Sequence, residues 1–236
     1  MLSTKPRCLA NSQVSKHLVF AFQPTDRIFG HTLYVFPLDS HAYFATLQSR
    51  IHESWARLLS SSLEDRLRYS PSDCFETFPF PPAASLAADA PLEAIGRSLY
   101  DARAALMIER DCGLTVTYNQ LKDPDVTDPA IDALRQLHLD LDRAVLAAYG
   151  WDDLPVPAFT TPVTDADWRA KEAFDDAIID RLFALNAQRA AAERLLGPTA
   201  AAGKPTKSAR PRKPRRAAPS APELPLAPPA PDPADP

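Results

Sequence analysis

Few residues in this sequence have the types and spacing needed for chemistry, and the first candidates lie in the stretch SPSDCFETFPFP, residues 70–81. Cys74 lies between Asp73 and Glu76, an arrangement that could suit a reactive thiol or acid–base work. The sequence places no histidine beside them, and a lone cysteine among phenylalanines is usually a buried core residue. Two interpretations compete at this point, a reactive-cysteine site and a structural joint between two differently built halves.

A second candidate is the His-x-Asp-x-Asp run of His138, Asp140 and Asp142. On a helix, residues two and four apart do not share one face, so three metal ligands cannot converge. We expect His138 to be a hydrogen-bonded core residue. The chain has three widely spaced cysteines and lacks the phosphate-loop, dinucleotide-loop, zinc-protease and nucleophile-elbow motifs, so no metal, disulfide framework or familiar catalytic site is indicated.

Basic residues of the first 68 positions form the one set that points to a binding partner. This part carries eight Lys or Arg against five acids, residues 69–197 carry eleven against twenty-two, and residues 198–236 carry seven against three. A polyanion would therefore contact the first part, helped by the last. Ordinary surface cations are the alternative. The candidate DNA contacts are Lys16, His17, Arg27, Arg50, Arg57, Arg66 and Arg68.

The first part has the pattern of strands followed by a helix. Residues 17–22 and 32–36 are rich in β-branched and aromatic residues and predict two strands. From Ser40, a candidate N-cap, apolar residues recur at helical spacing to Leu58, which predicts one amphipathic helix. A second short helix is predicted over 61–67. The Phe-Pro steps of FPFP then hold the chain extended and end this part.

The remainder is predicted to be helical up to about residue 196. One helix starts near Pro91 and ends with Gly113 as a C-terminal cap, a second runs from Asp128 to Gly150, and a third starts at Thr164. Asp167 completes a capping box with Thr164. After residue 197 the chain holds twelve of its 25 prolines, which predicts a disordered tail. No apolar run approaches a transmembrane span, and the N-terminus is unlike a signal peptide, so we expect a cytoplasmic protein that is not bound to a membrane.

Four blocks of the chain resemble a known family. They are LQSRIHESWARLLSSSLEDRLRYSPSDCFETFPFP, GLTVTYNQLKDP, LRQLHLDLDRAVLAAYGW and DRLFALNAQR. In this order they resemble the C-terminal part of adenine-specific, S-adenosylmethionine-dependent DNA methyltransferases of the fused type IIG and IIL restriction–modification enzymes. The resemblance runs from about residue 5 to about residue 196. It implies that residues 1–82 are the end of a target-recognition module and residues 83–197 a helical C-terminal region, with 198–236 as the tail. The resemblance therefore favours the interpretation of residues 70–81 as a structural joint between these two parts.

The family's catalytic parts have no counterpart in the sequence. No Asn-Pro-Pro occurs, since Asn119 is followed by Gln120, and no glycine-rich cofactor loop is present. We therefore assign no catalytic, cofactor or metal residue, and S-adenosylmethionine belongs to the full-length family rather than to this chain. The expected fold is α+β, and the expected function is recognition of double-stranded DNA, with catalysis supplied by a separate methyltransferase or nuclease chain or lost. The alternative is a fragment that docks onto such a core without DNA affinity of its own.

Overall fold

The computed structural model describes residues 5–63 and 66–196 and confirms an α+β fold, in which two small antiparallel sheets and two helices precede four further helices. The strands are β1 Arg7–Ser12, β2 Val14–Ser15, β3 Ala21–Pro24, β4 Leu33–Phe36, β5 Ser61–Leu63 and β6 Arg66–Arg68. The helices are α1 His41–Gln48, α2 Arg50–Leu59, α3 Pro91–Glu109, α4 Leu114–Lys122, α5 Pro129–Tyr149 and α6 Asp165–Leu196. The predicted tail, 198–236, lies outside the described residues.

The first sheet has the order β3-β1-β4, and its central strand was not predicted. Leu9 of β1 lies opposite Phe22 on one side and Phe36 on the other. The sequence RCLANS shows no alternation of apolar and polar residues. A central strand that is covered on both faces buries consecutive residues, here from Cys8 to Asn11. The strand predicted over 17–22 begins only at Ala21, whereas the one predicted over 32–36 nearly coincides with β4.

The second sheet has the order β2-β6-β5 and replaces the short helix predicted over 61–67, which is wrong. Ser60 ends α2 in an extended conformation. In β6, Leu67 is buried while Arg66 and Arg68 on either side are exposed, which is the two-residue period of a strand. This sheet turns both arginines of β6 to the same face.

The single helix predicted from Ser40 is two helices. The Ser40 cap is confirmed, since its Oγ accepts from the Tyr43 N–H. Ser49 is extended, and it both ends α1, by donating to the Ala45 carbonyl, and caps α2, by accepting from the His52 N–H. Because serine competes for backbone groups with its own side chain, it allows this break within a continuous apolar stripe.

Predictions for the later helices hold where they depend on local capping. Asp128 caps α5, Gly150 ends it with a left-handed φ of 73°, and Thr164 and Asp167 form the capping box of α6. The prediction for Gly113 is wrong. The last turn of α3 ends at Arg110, and Gly113 instead begins α4, a helix that the sequence pattern did not predict.

The two parts share one hydrophobic core, in which α3 packs along α1. A Cβ on Gly96 would lie 2.2 Å from the His41 carbonyl oxygen, so this crossing depends on a glycine. The segment 70–82 also contacts both parts: Phe75 packs on Phe36 at 4.6 Å between ring centroids, and Tyr149 Oη donates to the Pro79 carbonyl. The division at residue 82 stays a prediction. None of the described helices is long and apolar enough to cross a membrane.

Candidate nucleic-acid interface

Cys74 and His138, the residues considered for catalysis or metal binding, are both packed in the protein core. Cys74 is fully buried, its Sγ lies 2.9 Å from the Ser70 carbonyl, and burial raises the pKa of its thiol. The ring of His138 stacks on Phe159 at 4.1 Å, and its Nε2 is 3.3 Å from Tyr118 Oη. Within residues 5–63 and 66–196, no three His, Cys, Asp or Glu side chains are placed to hold a metal ion.

Two of the seven predicted DNA contacts, Arg66 and Arg68, lie on the second sheet, and a third, Lys16, directly follows its strand β2. In the β2–β6 pairing Val14 lies opposite Arg68 and Ser15 opposite Leu67, so Lys16, the next residue, continues toward Arg66. Residues directly opposite each other in an antiparallel pair point to the same face. Lys16, Arg66 and Arg68 are all exposed. We call this set of three cations the β6 cationic face.

Arg50 is turned inward instead. Its Nε donates to Asp142 Oδ2 at 2.6 Å, and its two terminal nitrogens donate to the Ala158 and Pro157 carbonyls at 2.9 and 2.8 Å. Only 13% of the Arg50 side chain and 2% of the Asp142 side chain is exposed. All three guanidinium nitrogens have protein acceptors, so Arg50 joins α2 to α5 and to the loop before α6.

Arg57 and His17 are partly engaged by the protein. Arg57 binds Glu53, one helical turn earlier, at 2.7 Å and reaches the Lys16 carbonyl at 3.4 Å. His17 Nε2 is 2.9 Å from Asn119 Oδ1, and burial lowers the pKa of its imidazole. The sequence spacing of Arg50 and Arg57 correctly placed both on α2 but did not show that each has a carboxylate partner.

Arg27 stands apart from the others, in the loop that joins β3 to β4. Arg27 is exposed, and the side chain of its neighbour Ile28 is the most exposed of the large apolar side chains in the described part of the chain. The structure therefore divides the seven predicted contacts into the exposed cations of the β6 cationic face, the exposed loop residue Arg27, and three less exposed or engaged residues of the groove, His17, Arg50 and Arg57.

A groove of about 1190 Å³ includes Lys16 in its lining and separates α2 from α4, α6 and the loop 157–163. Lys16, His17, Arg50 and Arg57 all line it, and so do Lys122 and Asn119 of α4. Sequence reasoning missed the last two. Lys122 is 122 residues into the chain and in the acidic part, and no local pattern links it to α2.

The geometry defines a class of protein: an antiparallel sheet module that presents clustered cations, packed on a helical region. The model of the MmeI target recognition domain matches residues 6–82. The chain also superposes, with a TM-score of 0.51 and 22% identity over 79% of its length, on a solved structure described as the type IIL restriction–modification enzyme MmeI in complex with DNA. The comparison with curated proteins gave no match.

These two matches confirm the resemblance to type IIL restriction–modification enzymes, and residues 6–82 are similar to the MmeI target recognition domain. At 22% identity, the structural likeness establishes the fold. The chain corresponds to 22% of the length of the MmeI chain that it matches.

Proposed function

We propose that this chain recognises double-stranded DNA for an adenine-specific methyltransferase of a restriction–modification system. The observation that carries the proposal is the match of residues 6–82 to the MmeI target recognition domain. The solved structure of the enzyme MmeI is described as a complex with DNA. A cytoplasmic location, where such DNA is found, is part of this proposal.

The β6 cationic face supplies the DNA contacts in this proposal. Arg66 and Arg68 are two residues apart on one strand, so their side chains project about 7 Å apart, near the spacing of successive phosphates. Lys16 directly follows the neighbouring strand β2, and Arg27 provides a further contact from its loop. Dispersed cations of this kind bind phosphates and set the position of a protein on the duplex.

The chemistry of methylation is assigned to parts outside this sequence. Methylation of a base requires a cofactor site and a pocket for the extruded base, and the sequence contains neither the Asn-Pro-Pro motif nor a glycine-rich cofactor loop. In this proposal S-adenosylmethionine binds to a separate methyltransferase core, and the chain alone does not methylate DNA.

A salt titration of duplex DNA binding tests the proposal. The double variant Arg66→Ala/Arg68→Ala removes two cations of the β6 cationic face. The matched control, Arg97→Ala/Arg143→Ala, removes two exposed cations from the helical region, where each is paired with an acid on its own helix. Both variants change the net charge equally, so a difference between them reports the location of the DNA.

We expect the double variant on β6 to bind duplex DNA about 10- to 100-fold more weakly at low salt, because two phosphate contacts are lost. Each lost contact should also reduce the magnitude of the slope of log K against log salt by about one. The control variant should bind within about twofold of the parent. Equal loss in both variants would contradict the proposal, and so would the absence of salt-dependent binding by the folded parent chain.

The alternative function, docking without DNA affinity, is favoured by one observation. The helical region exposes apolar side chains, among them Ile108 of α3 and Phe183 of α6. Its excess of acids over bases, 22 to 11 in residues 69–197, would repel DNA. A parent chain that binds a methyltransferase core but shows no DNA affinity at low salt would favour this alternative.

A further inference from the structure

The groove between α2 and α4 contains a lysine that makes no ion pair in the described part of the chain. Lys122, at the C-terminal end of α4, lines the groove with its ammonium 3.7 Å from the centroid of the Phe159 ring. No carboxylate in the described part of the chain lies within ion-pair distance of it. Burial is the main cause that lowers its pKa to about 8, so most of the Lys122 side chains are charged at pH 7.

The carboxylates nearest to Lys122 are already occupied. Glu53 pairs with Arg57 at 2.7 Å, and Asp142 pairs with Arg50 at 2.6 Å. Lys122, Arg57 and Arg50 together lower the pKa of Glu53 to about 2, so its carboxylate is ionised at neutral pH and cannot serve as a proton reservoir for the lysine.

The balance of charge around Lys122 is positive. Four cations, Lys16, Arg50, Arg57 and Lys122, stand against three carboxylates, Glu53 and Asp123 in the lining and Asp142 beside it. This excess of one positive charge contrasts with the surrounding helical region, which is strongly acidic. A partly buried cation without an ion-pair partner is costly, and an anionic ligand would reduce that cost.

The α6 side of the groove has the reverse character. Asp167, Asp175 and Asp176 line it, with Lys171 bound to Asp175 at 2.5 Å and Ser54 Oγ of α2 donating to Asp175 Oδ1 at 2.6 Å. An anion is repelled by these carboxylates, which favours a position beside Lys122 and Arg57. Trp168, about half exposed, also lines the groove and offers a flat surface for a ring attached to that anion.

We propose that the basic end of this groove is a phosphate site, in which Lys122 and Arg57 bind the phosphate of a nucleotide. Lysine and arginine on two different helices can approach the phosphate oxygens from different sides. The phosphate can belong to a free nucleotide or to a nucleotide within a DNA strand. The two residues that bind the phosphate in this proposal, Lys122 and Arg57, lie outside the β6 cationic face, so the inference is tested separately from the proposed target-recognition function.

The test measures binding of adenosine monophosphate to the full chain by calorimetry, beside binding of a short duplex. Lys122→Gln removes the charge and keeps a similar side-chain length, Lys122→Arg keeps the charge, and Lys171→Gln is the matched control in the same groove. We expect Lys122→Gln to weaken binding of adenosine monophosphate at least tenfold, while Lys122→Arg and Lys171→Gln remain within about threefold of the parent.

A pH series provides a readout that a purely structural role of Lys122 would not move. The groups facing Lys122 are three carboxylates, two guanidinium groups and two imidazoles: Glu53, Asp123, Asp142, Arg50, Arg57, His17 and His138. Carboxylates and guanidinium groups keep their charge between pH 7 and pH 9 at the usual values for these residue types. Burial lowers the pKa of both imidazoles below the usual histidine value, so they are essentially neutral throughout this range. Affinity of the parent should therefore fall about tenfold across this range as Lys122 loses its proton. The Lys122→Arg variant should show no such fall.

The two sources of phosphate are distinguished by the ligand that responds. Loss of adenosine monophosphate binding in Lys122→Gln supports a free nucleotide, and loss confined to the duplex supports a strand phosphate. If neither ligand distinguishes Lys122→Gln from the parent, the phosphate site is overturned. Arg66→Ala/Arg68→Ala, which tests target recognition, leaves binding of adenosine monophosphate unchanged, so the two proposals fail separately.

Discussion

Helix α2 and strand β6 lie seven residues apart in the chain, and they use their arginines in opposite ways. Arg50 points inward to a buried carboxylate, whereas Arg66 and Arg68 project from an exposed strand face. All were equal candidates for DNA contact by residue type. The difference shows that the function of an arginine in such a module is decided by what lies across from it, and for Arg50 that is Asp142, 92 residues away.

The largest effect that separates the two regions should be on stability. Arg50→Ala leaves Asp142 buried without its cation and should lower the free energy of unfolding by about 3–5 kcal/mol. Arg68→Ala should change it by less than about 0.5 kcal/mol, because exposed surface substitutions have small effects. Urea denaturation of both variants measures this difference.

A further variant checks the cause. If the buried carboxylate is responsible, Arg50→Ala/Asp142→Ala should be less destabilised than the sum of the two single changes. A loss below about 1 kcal/mol in Arg50→Ala would show that Arg50 is available for other contacts, and it would restore this arginine as a candidate for DNA binding.

Several features that depend on a few neighbouring residues were predicted correctly from the sequence, although the Gly113 cap was not. The Ser40 and Asp128 caps, the left-handed Gly150 and the Thr164–Asp167 capping box each rest on residues within one turn. Features that depend on distant chain segments were not. Strand β1 is recognisable only between β3 and β4, and β6 only beside β2, because pairing supplies the hydrogen bonds that make these short segments strands.

The candidate site shows the same limit. Residue type and charge pattern identified the cations of the first part, including all three members of the β6 cationic face. The strand register that groups Lys16 with Arg66 and Arg68 required the structure, and so did the contacts that commit Arg50 to Asp142. Lys122 and Asn119 carry no local signal, since they reach the groove only through the packing of α4 near α2.

A smaller expected difference between inward and outward residues concerns the pH dependence of the free energy of unfolding. His52 of α2 is fully buried with its Nε2 2.9 Å from Tyr69 Oη, and burial lowers its pKa to about 3. Below the usual histidine value of 6.5 the unfolded chain binds a proton at His52 and the folded chain does not. Stability is therefore present above pH 6.5 and is lost as the pH falls toward 3, by about 2 kcal/mol between pH 8 and pH 5.

The histidine prediction is measured by denaturation at pH 8 and pH 5. His52→Gln should lose this part of the pH dependence, whatever its own stability, since glutamine does not titrate. His31, exposed in the β3–β4 loop, is the outward counterpart, and His31→Gln should keep the dependence of the parent. An unchanged slope in His52→Gln would show that another group, such as the buried His138, accounts for the effect.

The smallest expected effect comes from exchanging arginine for lysine at the outward position. Under the proposed function, Arg68 contacts a phosphate, for which positive charge is the main requirement, so Arg68→Lys should bind duplex DNA within about twofold of the parent with the same salt slope. Arg50→Lys should still destabilise the fold, because one ammonium cannot replace three nitrogens that donate to Asp142, Pro157 and Ala158. A tenfold loss of DNA affinity in Arg68→Lys would instead indicate a two-pronged contact with a base edge, which only a guanidinium makes, and would move Arg68 from positioning the DNA to reading its sequence.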